Sequence, residues 1–169
     1  MPLRAMFGIS VILSFISWGI IAKRYIWPAL RRIPRTEALR PLLLLHTFRF
    51  VGLAFVIPGV VSPDLPVAFA RPAAYGDLTT SILALFAIVT LNRALGIILA
   101  WAFNIFGSAD LLYAFYEGNR VQLDSAPGLQ GAAYFIPTVL VPLLLTTHVL
   151  VFLLLLKPNV REAARTRVN

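Results

Sequence analysis

The sequence contains no cysteine. That removes disulfides, thiolate chemistry, Cys-ligated zinc and iron–sulfur clusters from consideration. Charge is also scarce: 13% of the 169 residues are Asp, Glu, Lys or Arg, about half the share usual in a soluble domain. So little polar surface does not enclose a soluble core. Gly-rich phosphate loops, a G-x-S-x-G elbow and an H-E-x-x-H helix are all missing. No repeat relates the two halves, which leaves an inverted-repeat transporter pattern unsupported. No span carries paired carboxylates; Asp77 and Asp110, the only candidates, are expected on different helices, and nothing nominates an enzymatic reaction.

What remains is apolar. Hydrophobic residues make up 59% of the chain and mean hydropathy is +0.84. Crossing the hydrocarbon core takes about 20 apolar residues in a helix. Such stretches lie at about 7–26, 42–61 and 132–156, and a 39-residue apolar run occupies 78–116. As one helix that run would be about 58 Å long, too long for one span. Asn92-Arg93 is its only break, so the expected spans are 78–91 and 94–116. The fold class expected is all-α: a single transmembrane domain of five helices followed by a basic tail, 157–169. The proline-rich stretch "SPDLPVAFARPAAYG" reads as a structured loop before the third span.

The net charge of +8 does not point to nucleic acid. No basic helix carries interleaved polar readers, and no RNA-binding aromatic motif is present. The basic residues instead gather at span ends, as in proteins whose partner is the lipid bilayer. Eleven Lys and Arg fall on one side of the five-span layout, against Arg4, Arg71 and Arg120 on the other. That asymmetry predicts an external N-terminus and a cytoplasmic C-terminus.

Polar residues inside the spans are the candidate functional residues, because an ionisable group in hydrocarbon is expensive to keep. His46 and Arg49 lie three apart in "LLLLHTFRFVG", and Gly52 continues the stripe. Arg49 reads as a snorkelling side chain, a structural ion pair or an anion site. Asn104, Gly107 and Asp110 step by three along "FNIFGSAD", a small-residue seam carrying an amide and a carboxylate. Asp110 is expected toward the outer side and Arg49 toward the inner, an awkward separation for a pair. Asp77, at the outer mouth of the third span, reads as an N-cap or first-turn carboxylate. Ser10, Ser14 and Ser17 form a second seam on the first span. The phenylalanines read as lipid-facing, packing or interfacial residues.

The only two histidines, His46 and His148, fall at similar depth on different helices. Facing imidazoles are suited to ligating haem b or another tetrapyrrole; an interhelical hydrogen bond is the plainer reading. Two histidines do not make a closed zinc site, and no metal is expected.

The segments "HTFRFVGLAFVIPGV", "FARPAAYGDL", "FNIFGSADLL" and "YFIPTVLVPLLLTTH" resemble a group of uncharacterised small bacterial inner-membrane proteins. The resemblance covers 42–156. It implies a multi-pass bacterial inner-membrane location and transfers no activity. The leading functional expectation is a non-enzymatic accessory or assembly subunit of a membrane complex. The alternatives are a tetrapyrrole-binding protein using His46 and His148, and a small transporter or proton-linked channel using Arg49, Asn104, Asp110 and His148.

Overall fold

A computed structural model describes residues 1–157. The basic tail residues Arg161, Arg165 and Arg167 lie outside the described residues. Five helices are long and apolar enough to cross a membrane: α1 (Leu3–Leu30), α2 (Arg35–Val56), α3 (Val67–Thr90), α4 (Ala94–Arg120) and α5 (Ile136–Leu156). The 78–116 run is two helices, and the turn between them is at Asn92-Arg93 as the composition predicts. Gly96 makes the turn tight. A Cβ there would collide with the backbone of Thr90 and Leu91.

The third span begins earlier than expected. Pro66, in extended conformation, precedes the helix, and Val67 through Gly76 are already helical, with Pro72 inside. Pro66 sits before the first turn, where N–H groups have no intrahelical partner, whereas Pro72, the sixth helical residue, forgoes one bond of the ladder. The stretch read as a loop therefore contains the first ten residues of α3, and Asp77 lies well within the helix. The true loop, 57–66, turns through Gly59 at φ +85°. It packs on a short 3₁₀ segment, Pro127–Tyr134, through Ser62 N–H donating to Leu129 O (2.9 Å) and Ala132 N–H donating to Val60 O (3.2 Å).

Three spans depart from α geometry; α1 does so through a π-type turn at Ala22–Ile26. Phe48–Val56 of α2 is 3₁₀, where side chains three apart stand above one another. Arg49, Gly52 and Phe55 are the buried residues of that segment, so they form one straight inward row. Ile136–Leu140 of α5 is a π-type turn. It lies where Pro137 and Pro142 cannot supply N–H groups to the ladder.

α3 is central, packed against both α2 and α4. Its buried residues are small: Ala70, Ala73, Ala74, Thr80, Ser81, Ala84 and Ala87, with Phe69 and Asp77 the larger ones. Close helix approach through small residues is how membrane helices associate when burial in lipid gives no hydrophobic drive. α1 is peripheral, has no buried residue before Ala22 and packs mainly on α5. Ser10 and Ser14 of its expected seam are half-buried and Ser17 is exposed.

Two apolar clusters form the interior. One gathers Leu39, Leu43, Leu91, Phe103, Val151 and Leu154 near the face that carries the 31–34 and 91–93 turns. The other gathers Phe55, Phe69, Leu111, Ile136 and Val141 near the face that carries the N-terminus. Each face is also tied by polar contacts. Arg40 donates to Asn92 Oδ1 (2.9 Å) and Lys157 to Arg31 O (2.9 Å) on one, and Arg4 pairs with Asp124 (2.8 Å) on the other.

Candidate functional site

Between the two apolar clusters lies a polar one built from four helices. The 3₁₀ row of α2 aims Arg49 into the bundle, where its side chain is fully buried. Its Nε donates to Asp77 Oδ1 of α3 (2.6 Å) and its Nη2 to Asp110 Oδ2 of α4 (2.7 Å). Nη1 donates to Gly107 O (3.1 Å) and faces His148 Nε2 of α5 (3.3 Å). Such charge-assisted contacts are roughly twice as strong as neutral hydrogen bonds, and the planar guanidinium reaches both carboxylates at once.

This overturns two expectations. Asp77 is no N-cap; it is a buried partner of Arg49, ten residues into α3. Asp110 and Arg49 are not too far apart in depth, because α2 begins at Arg35 rather than near 42: Arg49 lies 14 residues beyond the start of α2 and Asp110 16 beyond the start of α4 at Ala94, and both helices start from the same face.

The hydrogen bonds fix the imidazole tautomers. Arg49 has only donors, so His148 Nε2 accepts. Nδ1 then carries the proton and donates to Asn104 Oδ1 (2.7 Å), while Asn104 Nδ2 donates back to the His148 carbonyl (3.3 Å). Thr147 uses its hydroxyl proton on the carbonyls of Leu143 and Leu144, so its oxygen accepts from His46 Nε2 (3.0 Å). Both imidazoles are neutral in this arrangement. Their rings pack at 4.2 Å between centroids, with Phe103 against both at 5.0 and 5.1 Å.

The histidines do meet, but as packed rings. His46 Nδ1 is the one ring nitrogen without a partner, and it is buried. No pair of free nitrogens faces a common centre, and rings in contact leave no gap for a macrocycle between them. Among the described residues, no group of three or more His, Cys, Asp or Glu could hold a metal ion.

All six residues singled out from the sequence, His46, Arg49, Asp77, Asn104, Asp110 and His148, thus belong to one cluster. Three glycines make room for it. A Cβ on Gly52 would strike the Asp77 carboxylate, one on Gly76 the Asp110 carboxylate, and one on Gly107 would crowd Thr80, Arg49 and His148. Gly52 and Gly107 were visible as members of three-residue stripes. Gly76 was visible only as the neighbour of Asp77.

A cavity of about 310 Å³ leads from the N-terminal face to this cluster. Arg4, Asn119 and Asp124 line its mouth, and Asp77 and Asp110 line its closed end. The walls include four phenylalanines from four segments, Phe7, Phe55, Phe69 and Phe115. Residues far apart in sequence build this wall, so no local motif announced it. Beyond the carboxylates the path ends: Arg49, the paired imidazoles and the Leu39–Leu154 apolar cluster close the other half of the bundle.

The domain of unknown function DUF8737 matches residues 6–156. The chain belongs to this family. No curated protein and no solved structure matches it. Every member of the polar cluster lies inside the DUF8737 region, as does the whole cavity wall except Arg4.

Asn104→Leu tests the imidazole anchor. It orphans the buried His148 Nδ1–H and should destabilise the protein by about 1–3 kcal/mol, read as thermal unfolding in mild detergent.

Proposed function

We propose that this DUF8737 protein is a non-enzymatic multi-pass protein of the bacterial inner membrane that binds a small amphipathic molecule through its N-terminal face. The observation that carries the reading is the cavity: apolar walls ending on two carboxylates held by one arginine. Few, convergent polar groups at the end of an apolar cleft are the usual make-up of a small-molecule site. The excess of Lys and Arg around the 31–34 and 91–93 turns and at Lys157 supports a cytoplasmic position for that face. The cavity then opens to the outside.

The other readings have less support. The small-residue face of α4 is used inside the bundle and is not free for a partner subunit: Gly96 closes the turn, Ala100 is fully buried, Gly107 sits on the ion cluster and Ala114 lines the cavity. A channel needs a continuous polar path, and this one stops at His46. Tetrapyrrole ligation has one free nitrogen to draw on, His46 Nδ1, and that one is buried in a ring packed against His148.

Ala114→Phe fills the cavity from a half-buried wall position. Native mass spectrometry of protein extracted from its own membranes should find a bound amphipath on the wild type, reduced about tenfold in the variant, the equivalent of 1.4 kcal/mol. Both proteins should elute alike in size-exclusion chromatography. A wild type with no bound molecule, or equal occupancy in the two, overturns the reading.

A further inference from the structure

Resting on the cavity reading above, we infer that the ligand is a cationic amphipath: an alkyl ammonium whose head sits on Asp77 and Asp110 and whose chain lies among the phenylalanines. The argument begins with charge. Arg49 is always protonated and supplies one positive charge to two carboxylates; His148 Nε2 accepts from Arg49 and carries no proton, and a proton on His46 Nδ1 would be buried without a partner. With both carboxylates ionised, the cluster carries one unmatched negative charge in a nearly dry site; the Asp77 and Asp110 side chains are 7% and 10% exposed. The other nearby charges do not offset it, since Arg4 is paired with Asp124 and Arg120 with Glu117. A buried charge of this kind demands a counter-charge.

Hydrogen-bond capacity points the same way. Arg49 reaches Asp77 Oδ1 and Asp110 Oδ2 only. Asp77 Oδ2 and Asp110 Oδ1 accept no hydrogen bond among the described residues, and the carboxylates line the cavity end. An ammonium carries three donors and no acceptor, which complements two such oxygens. The walls add a third argument: aromatic faces attract cations through the ring quadrupole, and four phenylalanines line this cavity. A carboxylate or phosphate head would meet like charge at the floor. The volume sets the size. At roughly 30 Å³ per heavy atom, taking a water's share of liquid volume as the measure, about 310 Å³ holds about ten non-hydrogen atoms.

The test uses the full chain in nanodiscs of zwitterionic lipid, titrated with n-octylammonium, n-octanol and octanoate and followed by thermal shift. Octylammonium should stabilise the wild type at concentrations at least about tenfold lower than octanol, and octanoate should have no effect. Asp110→Asn, which removes charge and keeps shape, should erase the preference for octylammonium over octanol. Ala114→Phe should abolish the response to both. If octanol matches octylammonium in the wild type and Ala114→Phe abolishes both, the cation inference falls and the cavity reading stands. Octanoate as the best ligand has the same consequence. If no probe acts on the wild type, or Ala114→Phe leaves every response intact, both fall. The three-probe comparison on the wild type decides the matter even where Asp110→Asn fails to fold.

Discussion

Arg49→Leu is expected to destabilise the protein by about 3–5 kcal/mol, the usual consequence of removing one partner from a buried ion pair. The reason is less the lost attraction than what remains. Asp77 and Asp110 would stand without a cation between two apolar clusters, and the Gly107 carbonyl and His148 Nε2 would lose their donor. Charge repair should therefore recover most of the loss: in Arg49→Leu combined with Asp77→Asn and Asp110→Asn, no net charge stays buried. Arg49→Lys should fall between, since one ammonium on a flexible stem does not span both carboxylates in the geometry a planar guanidinium does. Thermal unfolding of the purified variants in mild detergent gives the order. A cost below about 1 kcal/mol for Arg49→Leu, the range of exposed pairs, would mean that water reaches the cluster freely.

Gly76→Ala should also be costly, and its sign is informative. In an ordinary helix position Ala is favoured over Gly by about 1 kcal/mol. At Gly76 the added methyl would overlap the Asp110 carboxylate, and overpacking of that kind costs about 1–3 kcal/mol. Moving Asp110 also breaks its bond to Arg49, so the loss should exceed the propensity gain. Gly19→Ala is the matched control. Nothing lies within 4 Å of a Cβ there, and α1 is peripheral, with no buried residue before Ala22, so this change should be neutral or slightly stabilising. The same melting measurement compares the two. Equal effects would show that Gly76 is a helix residue like any other.

The spans were legible because their signal is length and composition, which tertiary packing does not alter. The Asn92-Arg93 turn was legible for a similar reason: 39 apolar residues do not fit in one crossing. Asp77 was misplaced because prolines were read as breaking structure, whereas Pro66 precedes the first turn of α3 and Pro72 is carried within it. The Arg49–Asp110 contact was judged awkward because the second span was taken to start near 42, whereas α2 starts at Arg35 and Arg49 lies correspondingly deeper. The residues of the ion cluster could be named one by one, since charge in hydrocarbon is conspicuous. Their convergence could not, because it depends on which faces of α2, α3, α4 and α5 turn inward. The cavity was the least legible feature: Phe7, Phe55, Phe69 and Phe115 resemble every other phenylalanine in the chain until the helices are packed.

The winding of α2 has a consequence for reach. With thirteen α residues rising about 1.5 Å each and nine 3₁₀ residues rising about 2.0 Å each, α2 extends about 37 Å from 22 residues. The 24 residues of α3 extend about 36 Å at α pitch. Two neighbouring spans of unequal residue count are thus matched in length by pitch. Rewinding the nine residues as α-helix would shorten α2 by about 4.5 Å and swing Phe55 about 120° around the axis relative to Arg49. A wall of the cavity would leave while its floor stayed in place. Membrane thickness acts on helices of this kind, and a thinner bilayer favours the shorter winding.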